Sequence, residues 1–257
     1  MTAEKIYKEE KGFMRLILAV LFMVLIAILS IPMYLVEFII GHWNKRRMHA
    51  IAQAIVRAVF RVLLFFAGTK LTVIGKERIP KEGSVMYAAN HKGIFDIIVG
   101  YAVVPNLTFF VSKKEIKKVP CINHWMKILR CQFLDREDVR GSLKVILEGI
   151  EQVKEGYSVF IMPEGTRSKT EELLPFHEGS FKYSTKSGSP IVPVALSNTD
   201  AIFERQKPWL KKAQVIVEFG EPIYPEKLSK EDKKFIGAYT RGIVGDMLNK
   251  NNKNIQF

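Results

Sequence analysis

The stretch Ser84-Val-Met-Tyr-Ala-Ala-Asn-His-Lys-Gly-Ile-Phe-Asp-Ile-Ile-Val-Gly-Tyr101 decides the fold. It opens as a short, mostly apolar run of strand type, and Ile94, Phe95, Ile97, Ile98 and Tyr101 then recur at helical spacing. Between strand and helix, His91 and Asp96 stand five positions apart. A helix beginning just after His91 would carry Asp96 more than one turn along it, able to point back at the imidazole. A carboxylate there fixes the tautomer of the ring and stabilises the imidazolium once the ring has taken a proton, which is the base-and-orienter part of a hydrolase triad. No serine or cysteine nucleophile is needed if the attacking hydroxyl comes from the substrate. The same spacing also suits a surface histidine beside a helix-turn aspartate, so the rest of the chain must decide.

From residue 71 onward the chain alternates strand and helix patterns, which predicts an α/β domain. Strand-like runs lie at 71–74, 84–89, 107–111, 132–134, 157–162, 190–196 and 215–219. A short helix is expected over 121–129, and another from an Asp138 cap to about residue 155, with Leu143, Ile146, Leu147, Ile150 and Val153 facing inward. The loop after residue 162 leads into a helix reaching Phe181. A closing helix runs from 230 to about 249, with Phe235, Ile236, Tyr239, Ile243 and Met247 inward.

Several strand ends carry more chemistry than a turn requires. After the strand ending at Met162 come Pro163, Glu164, Gly165, Thr166, Arg167 and Ser168, offering a permissive glycine, hydroxyls and a guanidinium. Ligands of open α/β sheets bind beyond the carboxyl ends of strands, and such a turn suits an anion such as phosphate. Asp135 and Arg136 end the 132–134 strand, and Lys113 and Lys114 follow the 107–111 strand. Three strand ends with basic residues and one with a His–Asp pair describe an anionic substrate meeting a general base.

The N-terminal quarter has a different character. Residues 16–36 hold no charge, and a helix of these 21 residues would be about 31 Å long, enough to cross a hydrocarbon core. The stretch is too long for a cleavable signal peptide and lacks a small-x-small site. Lys45, Arg46 and Arg47 follow, then a second apolar segment over 48–67 in which His49, Gln53, Arg57 and Arg61 form one polar stripe. On a spanning helix those arginines would be costly, whereas an interfacial helix leaves them among headgroups. Residues 12–67 are therefore expected to form a two-helix hairpin embedded in one leaflet with both ends cytoplasmic, the alternatives being one true span followed by an interfacial helix and a buried core hairpin; this divides the chain into a membrane-associating region, 1–69, and an α/β domain, 70–257. A formal net charge of +13 implies attraction to a polyanion, either nucleic acid or an anionic bilayer surface, and composition alone does not choose between them. Nucleic acid is disfavoured, since no aromatic-basic reader motif accompanies the charge. Cys121 and Cys131 have neither metal-ligand spacing nor a disulfide framework and read as small apolar residues in a reducing compartment.

Four blocks, in order, resemble the glycerolipid acyltransferase family, most closely its bacterial 1-acylglycerol-3-phosphate acyltransferases. The Asn-His-x-Ser-x-x-Asp block appears as Asn90, His91 and Asp96, with Gly93 at the serine position. The aromatic-aliphatic-Asp-Arg block is matched by Phe133, Leu134, Asp135 and Arg136, and Phe-Pro-Glu-Gly-Thr-Arg-Ser by residues 163–168 after Met162. A Pro-centred apolar strand matches residues 190–194, and Lys113 matches a basic position between the first two blocks. The similarity spans roughly residues 70–220 and implies, for the α/β domain, a mixed sheet flanked by helices. It implies acyl transfer from acyl-CoA or acyl carrier protein to the 2-hydroxyl of lysophosphatidic acid, giving phosphatidic acid at the cytoplasmic face of the cell membrane, with no metal or further cofactor. His91 and Asp96 would be catalytic, and Lys113, Arg136, Glu164, Gly165, Thr166 and Arg167 would hold the acceptor. Glycerol-3-phosphate, another lysophospholipid or a lyso-aminolipid is the alternative acceptor, and an inactive membrane scaffold is the alternative outside enzymes.

Overall fold

The computed structural model of the protein describes residues 3–135 and 138–255. Two helices, α1 (Ala3–Trp43) and α2 (Lys45–Phe66), form a hairpin whose turn is Asn44; its side chain accepts the Arg47 N–H at 2.9 Å and so caps α2. The strands follow as β1 (Lys70–Ile74), β2 (Met86–Ala89), β3 (Thr108–Lys113), β4 (Gln132–Leu134), β5 (Ser158–Ile161), β6 (Ile191–Ser197) and β7 (Gln214–Phe219). The helices between and after them are α3 (Phe95–Val103), α4 (Pro120–Ile128), α5 (Val139–Lys154), α6 (Lys182–Thr185), α7 (Lys230–Lys234) and α8 (Ile236–Asn252).

The strands make one mixed seven-stranded sheet in the order β1-β7-β6-β2-β5-β3-β4, antiparallel only between β6 and β7. The central strands β2, β5 and β6 are buried at every position, as parallel strands covered on both faces must be, which is why they read as unbroken apolar runs. Alternation sorts their side chains. Tyr87, Ala89, Phe160, Val192 and Val194 join α2 and α3 in one core, while Met86, Ala88, Val159, Ile161 and Ile191 join α5, α6 and α8 in the other. An aromatic column seats α3 on the sheet: Tyr101 lies 3.9 Å from Phe110, which lies 4.5 Å from Phe160.

The polar stripe of α2 faces the α/β domain: His49 and Gln53 are buried, and Arg57 and Arg61, half-buried and exposed, turn their guanidiniums to its backbone and not to headgroups as their spacing suggests. Arg57 Nη2 donates to the Val104 carbonyl at 2.6 Å and Arg61 Nε to that of Ala102 at 3.2 Å, so two guanidiniums serve the carbonyl end of α3. Gln53 bridges to the start of β3, donating to the Asn106 carbonyl at 2.6 Å and accepting the Thr108 N–H at 2.8 Å. The outward face of α2 could not have revealed this, because a helix that is apolar all round apart from a stripe looks the same whichever side meets protein. Arg57→Ala should therefore destabilise the fold, by about 2 kcal/mol for a lost charge-assisted bond. In thermal unfolding this reads as a fall of about 6 °C in Tm, and an unchanged Tm would remove the stripe from the account of the fold.

Three helix readings also change. On α5, Ile150 and Val153 are buried, but Leu143 and Leu147 are 45% and 55% exposed. The seam runs through Ile146, Gly149, Ile150 and Val153, and Leu147 sits about 100° around the helix from Ile146. The closing helix breaks at Phe235 into α7 and α8, which leaves Phe235 and Tyr239 exposed while Ile236, Val244 and Met247 are inward. Before Phe181 there is no long helix, only the 3-10 turn Glu178–Phe181 leading into α6. Glu178 accepts the Gly237 N–H at 2.9 Å, capping α8 from that turn.

Candidate active site

Parallel pairing sends the carboxyl ends of β2, β3, β4, β5 and β6 to the same edge of the sheet. Lys113 ends one of these strands, and His91, residues 163–168 and Thr199 follow others that end there. Where β2 leaves the ladder, Asn90 takes over the pairing with its side chain: its amide donates to the Leu196 carbonyl at 3.0 Å and its oxygen accepts the Leu196 N–H at 2.8 Å. That fixes the point from which His91 projects.

Helix α3 begins at Phe95, so Asp96 sits in its first turn and not beyond it. The turn 92–94 still brings the carboxylate back to the ring, with Asp96 Oδ2 2.8 Å from His91 Nδ1. The same oxygen accepts the N–H groups of Lys92 at 2.6 Å and Gly93 at 2.7 Å. Both can only donate, so Oδ2 is an acceptor and the ring donates from Nδ1, which in the neutral ring places the lone pair on Nε2. Asp96 Oδ1 takes the Thr199 hydroxyl. With these contacts a carboxylate that is 0% exposed is solvated by protein alone, and the positive end of α3 favours its charge. The His91 side chain is 15% exposed, open enough to reach a ligand.

Glu164 takes a different place from the one its motif suggests. Its Oε1 accepts the His91 N–H at 2.6 Å and its Oε2 the Leu174 N–H at 2.9 Å, and the residue is buried. Both oxygens are committed to backbone, so Glu164 braces the turn carrying His91 against the loop after β5. Burial pushes its carboxyl above the ordinary value, against the lowering effect of these two hydrogen bonds. The Ser168 N–H, donating to the His91 carbonyl at 2.8 Å, completes the brace. Arg241 on α8 holds the far side of the same loop through the Leu173 and Leu174 carbonyls at 2.5 and 3.0 Å.

Gly165 adopts φ +67°, and a Cβ there would come within 3.1 Å of the His177 ring, so only glycine suits the turn. Thr166 and Arg167 are exposed beyond it, as is Lys113 at the end of β3. Lys114 instead pairs with Asp135 at 2.7 Å. Arg136 lies outside the described residues. Thr199 and Glu204 contact the His91–Asp96 turn but escaped the sequence reading; a polar run after a strand was the only local sign of them.

Residues 70–197 match the family described as Acyltransferase. A 1-acyl-sn-glycerol-3-phosphate acyltransferase of Saccharomyces cerevisiae is 30% identical over 205 residues, 79% of this chain and 66% of that protein. The enzyme of the same name from Borreliella burgdorferi is 28% identical over 72% of this chain and 74% of its own length. That from Escherichia coli is 29% identical over 63% of this chain and 66% of its length. The crystal structure of a 1-acyl-sn-glycerophosphate acyltransferase from Thermotoga maritima superposes with a TM-score of 0.79 over 94% of this chain and 98% of that one; at 21% identity it speaks for the fold. With the fold, the four sequence blocks and these relatives in agreement, the chain belongs to the acyltransferase family.

Proposed function

We propose that the protein transfers a fatty acyl group from an acyl thioester to the sn-2 hydroxyl of lysophosphatidic acid, giving phosphatidic acid. The observation that carries this reading is His91, held by Asp96 with Nε2 free, on a sheet edge shared with Lys113 and the Gly165–Arg167 turn. Nε2 takes the proton of the acceptor hydroxyl as its oxygen attacks the thioester carbonyl. The tetrahedral adduct then expels the thiolate, which receives that proton from the imidazolium. The acyl group moves directly between substrates, so the reaction so written needs no enzyme nucleophile, metal or further cofactor. Arg167, Thr166, Lys113 and the backbone at Gly165 hold the acceptor phosphate, joined by Arg136 on the strength of the family resemblance, while Glu164 positions the base.

The lipid side of the reading rests on α1. Its outer face is a continuous apolar surface, with Ile31 67% and Phe38 74% exposed, far more than water tolerates on a stable fold. Both α1 and α2 are long and apolar enough to cross a membrane. However, the Phe13 ring packs on Trp209, 5.3 Å between centroids, and Ser30 Oγ accepts the Trp125 indole N–H at 3.0 Å. Contacts 17 residues apart, about 25 Å along a helix, thus meet one α/β unit, which lays α1 along the domain. We therefore place it within one leaflet, on the cytoplasmic face, where a chain of charge +13 meets anionic headgroups and the soluble donor, acyl-CoA or acyl carrier protein.

Acyl transfer from acyl-CoA and from acyl carrier protein to lysophosphatidic acid in micelles tests the proposal. Wild type should form phosphatidic acid with at least one donor. Arg167→Ala should raise KM for the acceptor about tenfold to a hundredfold, the worth of a hydrogen bond between charged groups, and leave KM for the donor unchanged. Product from glycerol-3-phosphate or another lysolipid alone would move the assignment to that acceptor.

A further inference from the structure

The connection from β6 to β7 folds over the turn that carries His91 and Asp96. Besides the Thr199 hydroxyl on Asp96, it delivers Glu204, which opens the 3-10 turn Glu204–Gln206 and places Oε1 2.7 Å from the Ile94 N–H. Ile94 caps α3, so its N–H has no partner within the helix. The Glu204 carboxylate also fills the space beside Gly93 that a side chain would occupy: a Cβ on residue 93 would overlap the Glu204 carboxylate. Gly93 is not in the left-handed region, so its backbone does not itself demand glycine. A side chain there would have to displace the Glu204 carboxylate. The other carboxylate oxygen, Oε2, is shut away from water with no hydrogen-bond partner among the described residues. Holding an anion in that state is costly, which marks the contact as more than a surface loop closing on a helix.

We propose that Glu204 is a positioning residue for acyl transfer, and that it and Gly93 act as a complementary pair. The side chain absent from residue 93 is replaced by the carboxylate of Glu204, 110 residues beyond the Ile94 N–H that it accepts, which anchors the first turn of α3. That turn supplies Asp96, so anchoring it keeps Asp96 Oδ2 on His91 Nδ1 while the ring gains and loses its proton. The inference rests on the acyl-transfer reading for its kinetic consequences and on geometry alone for its structural ones.

Glu204→Ala should lower kcat about tenfold to a hundredfold, the scale of a small misplacement of a reacting group. KM for both substrates should stay within about twofold. Glu204→Gln, which keeps an oxygen for the Ile94 N–H, should recover most of the loss. Gly93→Ala displaces the same carboxylate, so its loss should resemble that of Glu204→Ala, and the double variant should be no worse than the poorer single one. Hydrogen exchange over residues 90–97, measured without substrate, should quicken in Glu204→Ala. A wild-type kcat in Glu204→Ala, losses that multiply in the double variant, or unchanged exchange would each overturn the inference. An inactive wild type would instead overturn the acyl-transfer reading, and the exchange measurement would still decide whether Glu204 positions the turn.

Discussion

His91→Ala is expected to reduce acyl transfer by about a thousandfold or more, with the protein still folded. The magnitude follows from what the ring does in the proposed reaction: it alone takes the hydroxyl proton and returns it to the thiolate, and loss of such a base in a His–Asp pair costs three to four orders of magnitude. The fold should survive because the ring belongs to neither apolar core. The backbone contacts of residue 91, its N–H to Glu164 and its carbonyl to Ser168, do not depend on the side chain. Turnover of both substrates measured beside a thermal unfolding curve checks this. Full activity with an alanine at 91 would remove the general base, and with it the mechanism.

Asp96→Asn is expected to lower kcat by about a thousandfold to ten-thousandfold at nearly unchanged size and shape. The amide has one acceptor where the carboxylate has two. If its oxygen takes the place of Oδ2, it can still accept from Lys92, Gly93 and the ring, and its NH2 can face the Thr199 hydroxyl, but the charge that stabilises the imidazolium is gone. If the NH2 takes that place, it opposes two backbone N–H groups and forces the ring into the wrong tautomer. Either way the base fails. Asp96→Ala would differ by also orphaning those two N–H groups at the start of α3, so its Tm should fall where that of Asp96→Asn holds. Equal turnover in Asp96→Asn and wild type would mean that His91 acts without a charged orienter.

Much of the site was legible because it is written in short range. The strand before His91, the helix after it, the left-handed glycine at 165 and the basic residues at strand ends each follow from a few neighbours, and parallel pairing then brings those ends to one edge. The apolar length of α1 was equally plain, since a count of uncharged residues needs no partner. What tertiary structure alone decided is where polar groups point. Arginines on an apolar helix reach the carbonyls of α3 instead of headgroups, Glu164 spends its oxygens on backbone instead of a ligand, and Thr199 and Glu204 close on a turn 103 and 110 residues away. Hydrophobic periodicity shows that a face is buried, but a polar side chain can be satisfied by water, by headgroups or by a distant N–H, and only the folded chain determines which one is within reach.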